Sequence, residues 1–166
     1  ENSSMPHTVP TDRVVQRGDI IQFDFGAKYK GYCSDLSRVV FVEEMKEEYK
    51  EVYDFVLSEQ KRLSQSLKDG ANIKVVIKDR ETEYKLKNYQ VMHAFGHGVG
   101  LEIHELPILR STQDNILKEN SIIAIEPGVY FAGKFGIRIE DTFKVGKLGS
   151  ESITKCKKDY TIIKLA

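Results

Sequence analysis

The sequence has little of what several large classes of protein depend on. Only two of its 166 residues are cysteine and none is tryptophan. Two cysteines are too few for a disulfide framework, so we expect a reducing compartment, the cytoplasm. The 25 basic residues balance the 25 acidic ones, which gives no electrostatic reason to expect nucleic acid or an anionic membrane as a partner. The longest apolar runs, such as 122–125, are far shorter than the roughly 20 residues of a membrane span.

What the sequence does contain is enough for one folded domain. Hydrophobic residues make up 40% of it, including eight phenylalanines and eight tyrosines, so most of the chain is expected to be ordered. Its length fits a single domain. The chain begins with Glu1 instead of methionine, and the next residues have neither the basic region nor the apolar core of a signal peptide. We therefore expect a cut or processed piece.

Residue patterns predict a hairpin, then helices, then strands. β-branched and aromatic residues predict strands over 20–27, 32–42, 121–130, 136–145 and 160–165. A turn at 28–31 joins the first two strands into the hairpin. Apolar residues three, four and seven apart from Met45 to Leu67 predict a helix that ends at Gly70, and residues 71–90 predict a second helix. This order is typical of an α+β domain.

Three of the four histidines lie within one short, glycine-rich segment. His93, His97 and His104 alternate there with Gly96, Gly98 and Gly100. Glycines let the backbone bend so that several imidazoles can point at one place. The segment is not a zincin helix, because Ala94 stands where the H-E-x-x-H pattern needs glutamate. A phosphate-binding loop is only weakly supported, because no Lys-Ser or Lys-Thr pair follows the glycines.

Four acidic residues lie in or beside apolar predicted strands. They are Asp24, Asp35, Glu126 and Glu140. We expect Asp24 and Asp35 to face each other across the hairpin. Each carboxylate would cost several kcal/mol to bury unpaired. Solvent exposure or pairing with lysine explains any one of them, but explains all four together poorly. Four carboxylates and one imidazole can instead hold two divalent cations, and the oxygen-rich set favours ions such as Mn²⁺.

Five separated motifs together resemble a known family. They are Met5-Pro6-His7, the segment from Asp24-Phe25-Gly26 to Ser34-Asp35, the segment from His93 to Glu105, Ile125-Glu126-Pro127-Gly128-Val129-Tyr130, and Arg138-Ile139-Glu140-Asp141. They are similar to the catalytic domain of the Xaa-Pro peptidases, prolidase and aminopeptidase P. The similarity covers about residues 2–146 and includes both the order and the spacing of the motifs. Those enzymes belong to the pita-bread metallopeptidases. The short interval between Glu126 and Glu140 resembles the Xaa-Pro branch more than the methionine aminopeptidases.

The resemblance implies a dinuclear metallo-exopeptidase and a role for each matching residue. The implied metal ligands are Asp24, Asp35, His97, Glu126 and Glu140, with Asp35 and Glu140 bridging two ions. The implied catalytic residues are His104, Glu126 and His93, and the implied substrate-binding residues are His7, His93, Tyr130 and Arg138. A hydroxide between the ions would be the nucleophile, with Glu126 as its proton shuttle. His104 would steady the scissile carbonyl and the tetrahedral intermediate.

The same resemblance carries expectations about the rest of the protein. Only 23 residues precede Asp24, whereas the family's catalytic domain begins well before its first metal aspartate. We therefore expect residues 1–166 to be the C-terminal catalytic domain of a pita-bread fold that is incomplete at its N-terminus, without the family's N-terminal domain. Such a fragment is expected to pair with a second chain, to aggregate, or to derive from a longer protein.

The expected substrate is a small peptide with proline at position two. The expected cofactors are two divalent ions, Mn first, with Co, Zn or Fe as alternatives. No nucleic-acid or membrane partner is expected, and the full-length protein is expected to be a homodimer. A methionine aminopeptidase-like enzyme and a non-catalytic pita-bread peptide-binding module remain alternatives. Such modules usually lose metal ligands, whereas this chain keeps all five, and metal-free creatinase chemistry is disfavoured for the same reason.

Overall fold

The computed structural model describes residues 1–165 as two α-helices, twelve β-strands and a short 3₁₀ helix, Asn2–Ser4. The α-helices are α1 (Glu47–Ser66) and α2 (Ile73–Leu86). The strands before them are β1 (Ile20–Phe25), β2 (Lys28–Tyr29), β3 (Tyr32–Cys33) and β4 (Leu36–Val42). The strands after them are β5 (Gly96–Gly98), β6 (Glu105–Ile108), β7 (Ile122–Ile125), β8 (Gly128–Phe131), β9 (Phe135–Arg138), β10 (Asp141–Val145), β11 (Ser150–Ser152) and β12 (Ile162–Ile163).

Two sheets carry most of these strands. A three-stranded sheet has the order β1-β4-β12, in which β1 is antiparallel and β12 parallel to β4. A five-stranded sheet has the order β11-β10-β7-β5-β6. The pairs β2-β3 and β8-β9 form small two-stranded ribbons. The strands before and after the two helices thus form the mixed architecture that the sequence predicts, and the α+β class is confirmed.

Both helices bury one face in the hydrophobic core, and α1 packs directly against the strands. In α1 the predicted stripe is buried at Val52, Val56 and Leu63. Helix α2 is capped at its start, because the Asn72 side chain accepts a hydrogen bond from the Val75 amide and satisfies a donor that a helix end leaves open. Each large aliphatic side chain buried in this core contributes about 1.5–3 kcal/mol relative to exposure. The helices thereby hold the strands that carry the acidic residues.

The predicted hairpin exists, but its pairing differs from the expectation. Asp24 in β1 is opposite Ser37 in β4, whereas Asp35 lies outside the strands, in the bend before β4. The long ladder ends because the chain turns aside into the ribbon β2-β3. At that corner a Cβ on Gly26 would lie only 2.0 Å from the Ser34 carbonyl oxygen, so only glycine allows the two backbones to approach. The expectation that Asp24 and Asp35 face each other on paired strands was wrong.

Two predicted long strands are each broken in the middle. The segment 121–130 is divided into β7 and β8, and the segment 136–145 into β9 and β10. Proline has no amide hydrogen to donate to a ladder, so Pro127 interrupts the first segment. Glu126 and Glu140 both lie at these breaks. Each glutamate therefore follows a strand end instead of standing within a strand.

The first strand lies at the edge of its sheet and is partly uncovered. Phe23 and Phe25 are 45% and 55% exposed. At the other end of the chain, β12 pairs with β4 and occupies part of the stretch predicted over 160–165.

Among residues 1–165, neither helix combines the length and the apolar composition needed to cross a membrane.

Candidate metal centre

Five acidic and imidazole side chains converge on one cavity of about 480 Å³. They are Asp24, Asp35, His97, Glu126 and Glu140, the residues named above as implied ligands. Ligand atoms of Asp24, Asp35 and Glu140 all lie within 4.8 Å of one another, and so do those of His97, Glu126 and Glu140. Glu140 belongs to both groups. The geometry therefore matches the arrangement that the resemblance implies, although the ligand roles stay a prediction.

Each of these side chains reaches the cavity from a strand or from a strand boundary. Asp24 projects from β1, Asp35 from the bend before β4, His97 from β5, Glu126 from the residue after β7, and Glu140 from the break between β9 and β10. Strand β5 is an interior strand of its sheet, between β6 and β7. A Cβ on Gly98 would lie 2.4 Å from the Leu106 carbonyl oxygen. Glycine there lets β6 pair closely with the segment that carries His97.

The His97 ring is oriented as a neutral nitrogen ligand would be. Its Nδ1 lies 2.9 Å from the Gly98 carbonyl oxygen, which can only accept, so Nδ1 carries the proton. Its Nε2 then has a free lone pair and lies 3.5 Å from Asp35 Oδ2 and 3.7 Å from Glu126 Oε1. Burial lowers the pKa of His97, which keeps the ring neutral. A backbone contact that fixes the tautomer in this way is typical of histidines that bind metals.

Burial also raises the pKa of the carboxylic acids that surround this imidazole. The pKa of Glu126 is raised by burial and next by the charge of Glu140. The pKa of Glu140 is raised by burial and next by Asp35, and burial raises that of Asp35 as well. Like charges this close cannot all ionise without a compensating cation. The metal-free site therefore holds protons at a pH where ordinary carboxyl groups have lost theirs.

Arg138 is the cation that touches this group of acids. Its side chain is almost fully buried and forms an ion pair with Asp24, while its Nε lies 3.9 Å from Glu126 Oε2. The same Nε donates a hydrogen bond to Ser37 Oγ at 3.0 Å, and Ser37 Oγ donates to Glu140 Oε2 at 2.7 Å. Through these bonds the guanidinium fixes three of the carboxylates relative to one another.

His93 and Tyr130 extend the same hydrogen-bond chain. Arg138 Nη1 donates to the Tyr130 hydroxyl at 3.1 Å, and this hydroxyl lies 2.8 Å from His93 Nε2. His93 Nδ1 lies 2.6 Å from the Ala94 carbonyl oxygen, so Nδ1 carries the proton and Nε2 accepts from tyrosine. Burial lowers the pKa of His93 to about 4. His93 is thus a neutral, fixed wall of the cavity.

The remaining two histidines lie at the open side of the cavity. His104 is exposed, and its ring centroid lies 4.5 Å from that of His97. His7, in the extended N-terminal segment, is exposed and lines the same cavity. Arg138 Nη1 donates to the carbonyl oxygen of neighbouring Pro6 at 2.8 Å. Every residue implied by the resemblance as catalytic or substrate-binding therefore lies in or beside this cavity.

The donor set fits divalent cations. Among residues 1–165, Arg138 is the only lysine or arginine within 4 Å of the four carboxylates, so their full ionisation leaves negative charge uncompensated. Carboxylate oxygens with one imidazole suit Mn²⁺ and similar ions. His104 also has a ring nitrogen within 4.8 Å of ligand atoms of Asp35 and His97. Metal analysis of a His104→Ala variant distinguishes a metal ligand from a substrate contact.

Metal binding is expected to release protons at neutral pH. With the ordinary glutamate pKa of 4.5, metal affinity would be flat above about pH 6. Because the pKa values of Glu126 and Glu140 are raised, the cation must displace protons, and affinity is expected to keep rising between about pH 6 and pH 8. Calorimetric titration of Mn²⁺ into metal-free protein, in buffers of different ionisation enthalpy, measures this release. Zero proton release and a flat affinity over this range would contradict the expectation.

One part of the site was not predicted from the sequence. Gln60, in the buried face of α1, and Lys158, near β12, contact the backbone and side chains next to Glu126 and Glu140. A signal for Gln60 was present, because it interrupts the apolar stripe between Val56 and Leu63. A polar residue in such a stripe needs a buried partner. Sequence alone contains no signal for Lys158, which is one of several lysines in its segment.

Comparison with known proteins places the fold and the motifs in a family. A sequence profile of metallopeptidase family M24 matches residues 1–147. The chain is 39% identical over 160 residues to the Xaa-Pro dipeptidase of Pyrococcus horikoshii, covering 95% of this chain and 45% of that protein. It is 38% identical to the Xaa-Pro dipeptidase of Pyrococcus furiosus, again over 95% of this chain. The chain spans about half the length of the curated relatives it matches.

Solved structures agree with the sequence comparison. The X-Pro aminopeptidase of Thermotoga maritima MSB8 superimposes with a TM-score of 0.92 at 39% identity, over 97% of this chain and 46% of that one. The Xaa-Pro dipeptidase of Bacillus anthracis gives 0.89 at 40% identity, over 97% and 46%. The predicted pita-bread fold is confirmed by these neighbours.

Proposed function

The chain belongs to metallopeptidase family M24, and from this premise we propose that it forms the catalytic domain of a dinuclear exopeptidase. The proposed reaction is hydrolysis of the peptide bond between an N-terminal residue and proline. The observation that carries the proposal is the convergence of four carboxylates and the lone-pair nitrogen of His97 on one cavity. Membership of the family implies divalent metal ions.

The proposed ligand set follows the two groups of donors. Asp24, Asp35 and Glu140 would hold one ion, and His97 and Glu126 would complete the other, with Asp35 and Glu140 shared. When bound, two such cations lower the pKa of a water molecule and polarise the scissile carbonyl. Mn²⁺ is the proposed ion, because oxygen donors outnumber nitrogen donors four to one in this set. Co²⁺, Zn²⁺ and Fe²⁺ are the alternatives that the measurement below compares.

Glu126 is the proposed proton shuttle. Its carboxylate lies beside His97 and is largely buried, so burial raises its pKa first and the charge of Glu140 raises it next. Nearby cations lower a carboxyl pKa that burial has raised, which brings Glu126 towards the range where it can accept and return a proton near neutral pH. It would take the proton from the attacking water and deliver it to the proline nitrogen as the carbon–nitrogen bond breaks.

The proposed substrate contacts surround these donors. His104, at the open side of the cavity, would donate a hydrogen bond to the carbonyl oxygen as negative charge develops there. His93 and His7 would line the pocket for the proline ring and the C-terminal side of the peptide. The Tyr130 hydroxyl contacts Arg138 and His93, and Arg138 also pairs with Asp24. Their proposed effect on substrate is therefore to hold His93 and the carboxylates in position.

The proposal also covers the substrate, the partners, the compartment and the oligomeric state of the full-length protein. The substrate would be a small peptide with proline at position two. The balanced charge of the chain supports the absence of a nucleic-acid or membrane partner. We propose a cytoplasmic homodimer for the full-length protein, with residues 1–166 as its catalytic domain.

Peptide hydrolysis by the full-length protein tests the function. Gly-Pro, Ala-Pro and a longer peptide with proline second should be cleaved after addition of Mn²⁺, and a chelator should abolish the cleavage. Ala-Ala is the matched control without proline and should be cleaved far more slowly. Parallel assays with Co²⁺, Zn²⁺ and Fe²⁺ compare the metals. Preferential cleavage of a peptide that begins Met-Ala would instead support a methionine aminopeptidase, and absence of all cleavage by metal-loaded protein would support a binding module.

A further inference from the structure

A single buried amide contacts the main chain in front of both glutamates. Gln60, only 1% exposed, lies on the face of α1 that packs against the strands. Its Nε2 donates to the Ile125 carbonyl oxygen at 3.1 Å and to the Ile139 carbonyl oxygen at 3.2 Å. Ile125 immediately precedes Glu126, and Ile139 immediately precedes Glu140. One side chain therefore joins the two backbone segments that present these acids to the cavity.

The two carbonyls lie where the strands end or break. Ile125 is the last residue of β7 and still pairs with Asp141 in β10, whereas Ile139 lies outside the ladders, in the break between β9 and β10. A buried carbonyl without a donor costs about 1–3 kcal/mol. The two hydrogens of the Gln60 amide satisfy both carbonyls at once. Gln60 of α1 thus stabilises the main chain at the break before Glu140 and also contacts the end of β7 before Glu126.

The amide is itself held in one orientation from its other side. Lys158 Nζ donates to Gln60 Oε1 at 3.0 Å and to Asp141 Oδ2 at 2.6 Å. Because the lysine can only donate, it fixes which end of the amide is the oxygen. Asp141, which follows Glu140, is fully buried and also pairs with Arg38. The Arg38 Nη1 atom in turn donates to the Glu140 carbonyl oxygen at 2.7 Å.

We infer that Gln60 is a positioning residue for the metal centre, and that Lys158 orients it. The amide sets the separation of the backbone segments that carry Glu126 and Glu140, on the side of the strands away from the cavity. Metal sites require ligand positions accurate to about 0.5 Å. Hydrogen bonds that orient ligands typically affect metal affinity by about 10–100-fold when removed. This inference rests on the proposed ligand set.

Gln60→Met tests the inference in the full-length protein. Methionine has similar length and packs well in a core, but it donates no hydrogen bond to either carbonyl. We expect the variant to bind Mn²⁺ about tenfold more weakly, measured by calorimetry at a temperature where circular dichroism shows it folded. The visible absorption of bound Co²⁺, which reports ligand geometry, should change as well. Lys158→Met should shift affinity and spectrum in the same direction to a smaller extent.

Matched variants separate positioning from general stability. Lys157→Met is the control for Lys158→Met, because Lys157 is exposed and its side chain forms no hydrogen bond or ion pair among residues 1–165. Ile73→Val in α2 is the control for a weakened core, since Ile73 is fully buried and does not line the cavity. It should lower the melting temperature and leave both metal readouts unchanged.

The outcomes are distinct. Weaker Mn²⁺ binding and an altered Co²⁺ spectrum in Gln60→Met and Lys158→Met, but not in the two controls, support the inference. Unchanged binding and spectrum in both variants overturn it and leave the proposed function intact. Absence of metal binding by the unaltered protein overturns the proposed function and the inference together. If Gln60→Met does not fold, the pair Lys158→Met and Lys157→Met decides by the same two readouts.

Discussion

Replacing Glu140 with glutamine is expected to abolish turnover, by at least about 10³-fold, because a lost cation removes several kcal/mol of transition-state stabilisation. Glu140 is the acid that belongs to both groups of donors, so its charge supports both proposed ions. Glutamine keeps the shape and an oxygen that can still accept from Ser37 Oγ, which now lies 2.7 Å from Glu140 Oε2. The variant therefore changes charge with little change in packing. Steady-state kinetics with Ala-Pro and metal analysis of the purified protein measure the two effects.

The same substitution should not destabilise the metal-free protein. The raised pKa of Glu140, caused by burial and next by Asp35, means that its ionised form opposes folding above the ordinary pKa. Glutamine cannot ionise, so the melting temperature without metal should be equal or higher at neutral pH. Glu51→Gln on the exposed face of α1 is the matched control and should retain metal and activity. Full activity of Glu140→Gln at saturating Mn²⁺ would contradict the proposed ligand set.

Replacing His104 with alanine should lower kcat by about 10²–10³ while metal stays bound, which is the cost of losing one donor to a developing oxyanion. His104 is exposed at the open side of the cavity, whereas His97 points a fixed lone pair at the acids. The two imidazoles are only 4.5 Å apart, so proximity alone does not assign their roles. KM should change much less than kcat, because the contact strengthens as charge develops on the oxygen.

Metal content distinguishes the two roles that His104 can have. Glu102→Gln, an exposed neighbour whose side chain forms no bond among residues 1–165, is the control for changes in the loop. His97→Ala provides the reference for loss of a ligand. If His104→Ala loses as much metal as His97→Ala, then His104 is a ligand and its proposed role at the carbonyl oxygen is wrong. Retained metal with unchanged kcat would also contradict that role.

The sequence predicts the helices well because their signals are local. Helix α1, Glu47–Ser66, begins two residues after the predicted start and ends four residues before the predicted end at Gly70, and its buried face follows the predicted stripe because the core side of a helix is set by its own period. Four of the five proposed ligands are likewise recognisable, because acids on apolar predicted strands conflict with their surroundings unless a cation is present. The structure brings all five to one cavity. Residues that violate the local pattern are thus the ones that reveal the site.

The hairpin register and the strand breaks depend on contacts that the sequence does not display. The predicted strand over 32–42 includes Asp35, yet the chain leaves the ladder after Phe25 because Gly26 allows a corner. Pro127 signals an interruption, but no residue near Ile139 does so. The break before Glu140 is stabilised from a distance, by Gln60 in α1 and by Arg38 in β4. Tertiary hydrogen bonds of this kind are decided by the whole fold.

Diffraction at the manganese absorption edge, from crystals of the full-length protein grown with Mn²⁺ at neutral pH, tests the central claim most directly. The account predicts two anomalous peaks about 3.5–4 Å apart, enclosed by Asp24, Asp35, His97, Glu126 and Glu140, with Asp35 and Glu140 touching both. Two peaks elsewhere, a single peak at saturating Mn²⁺, or no peak within this cavity would contradict it.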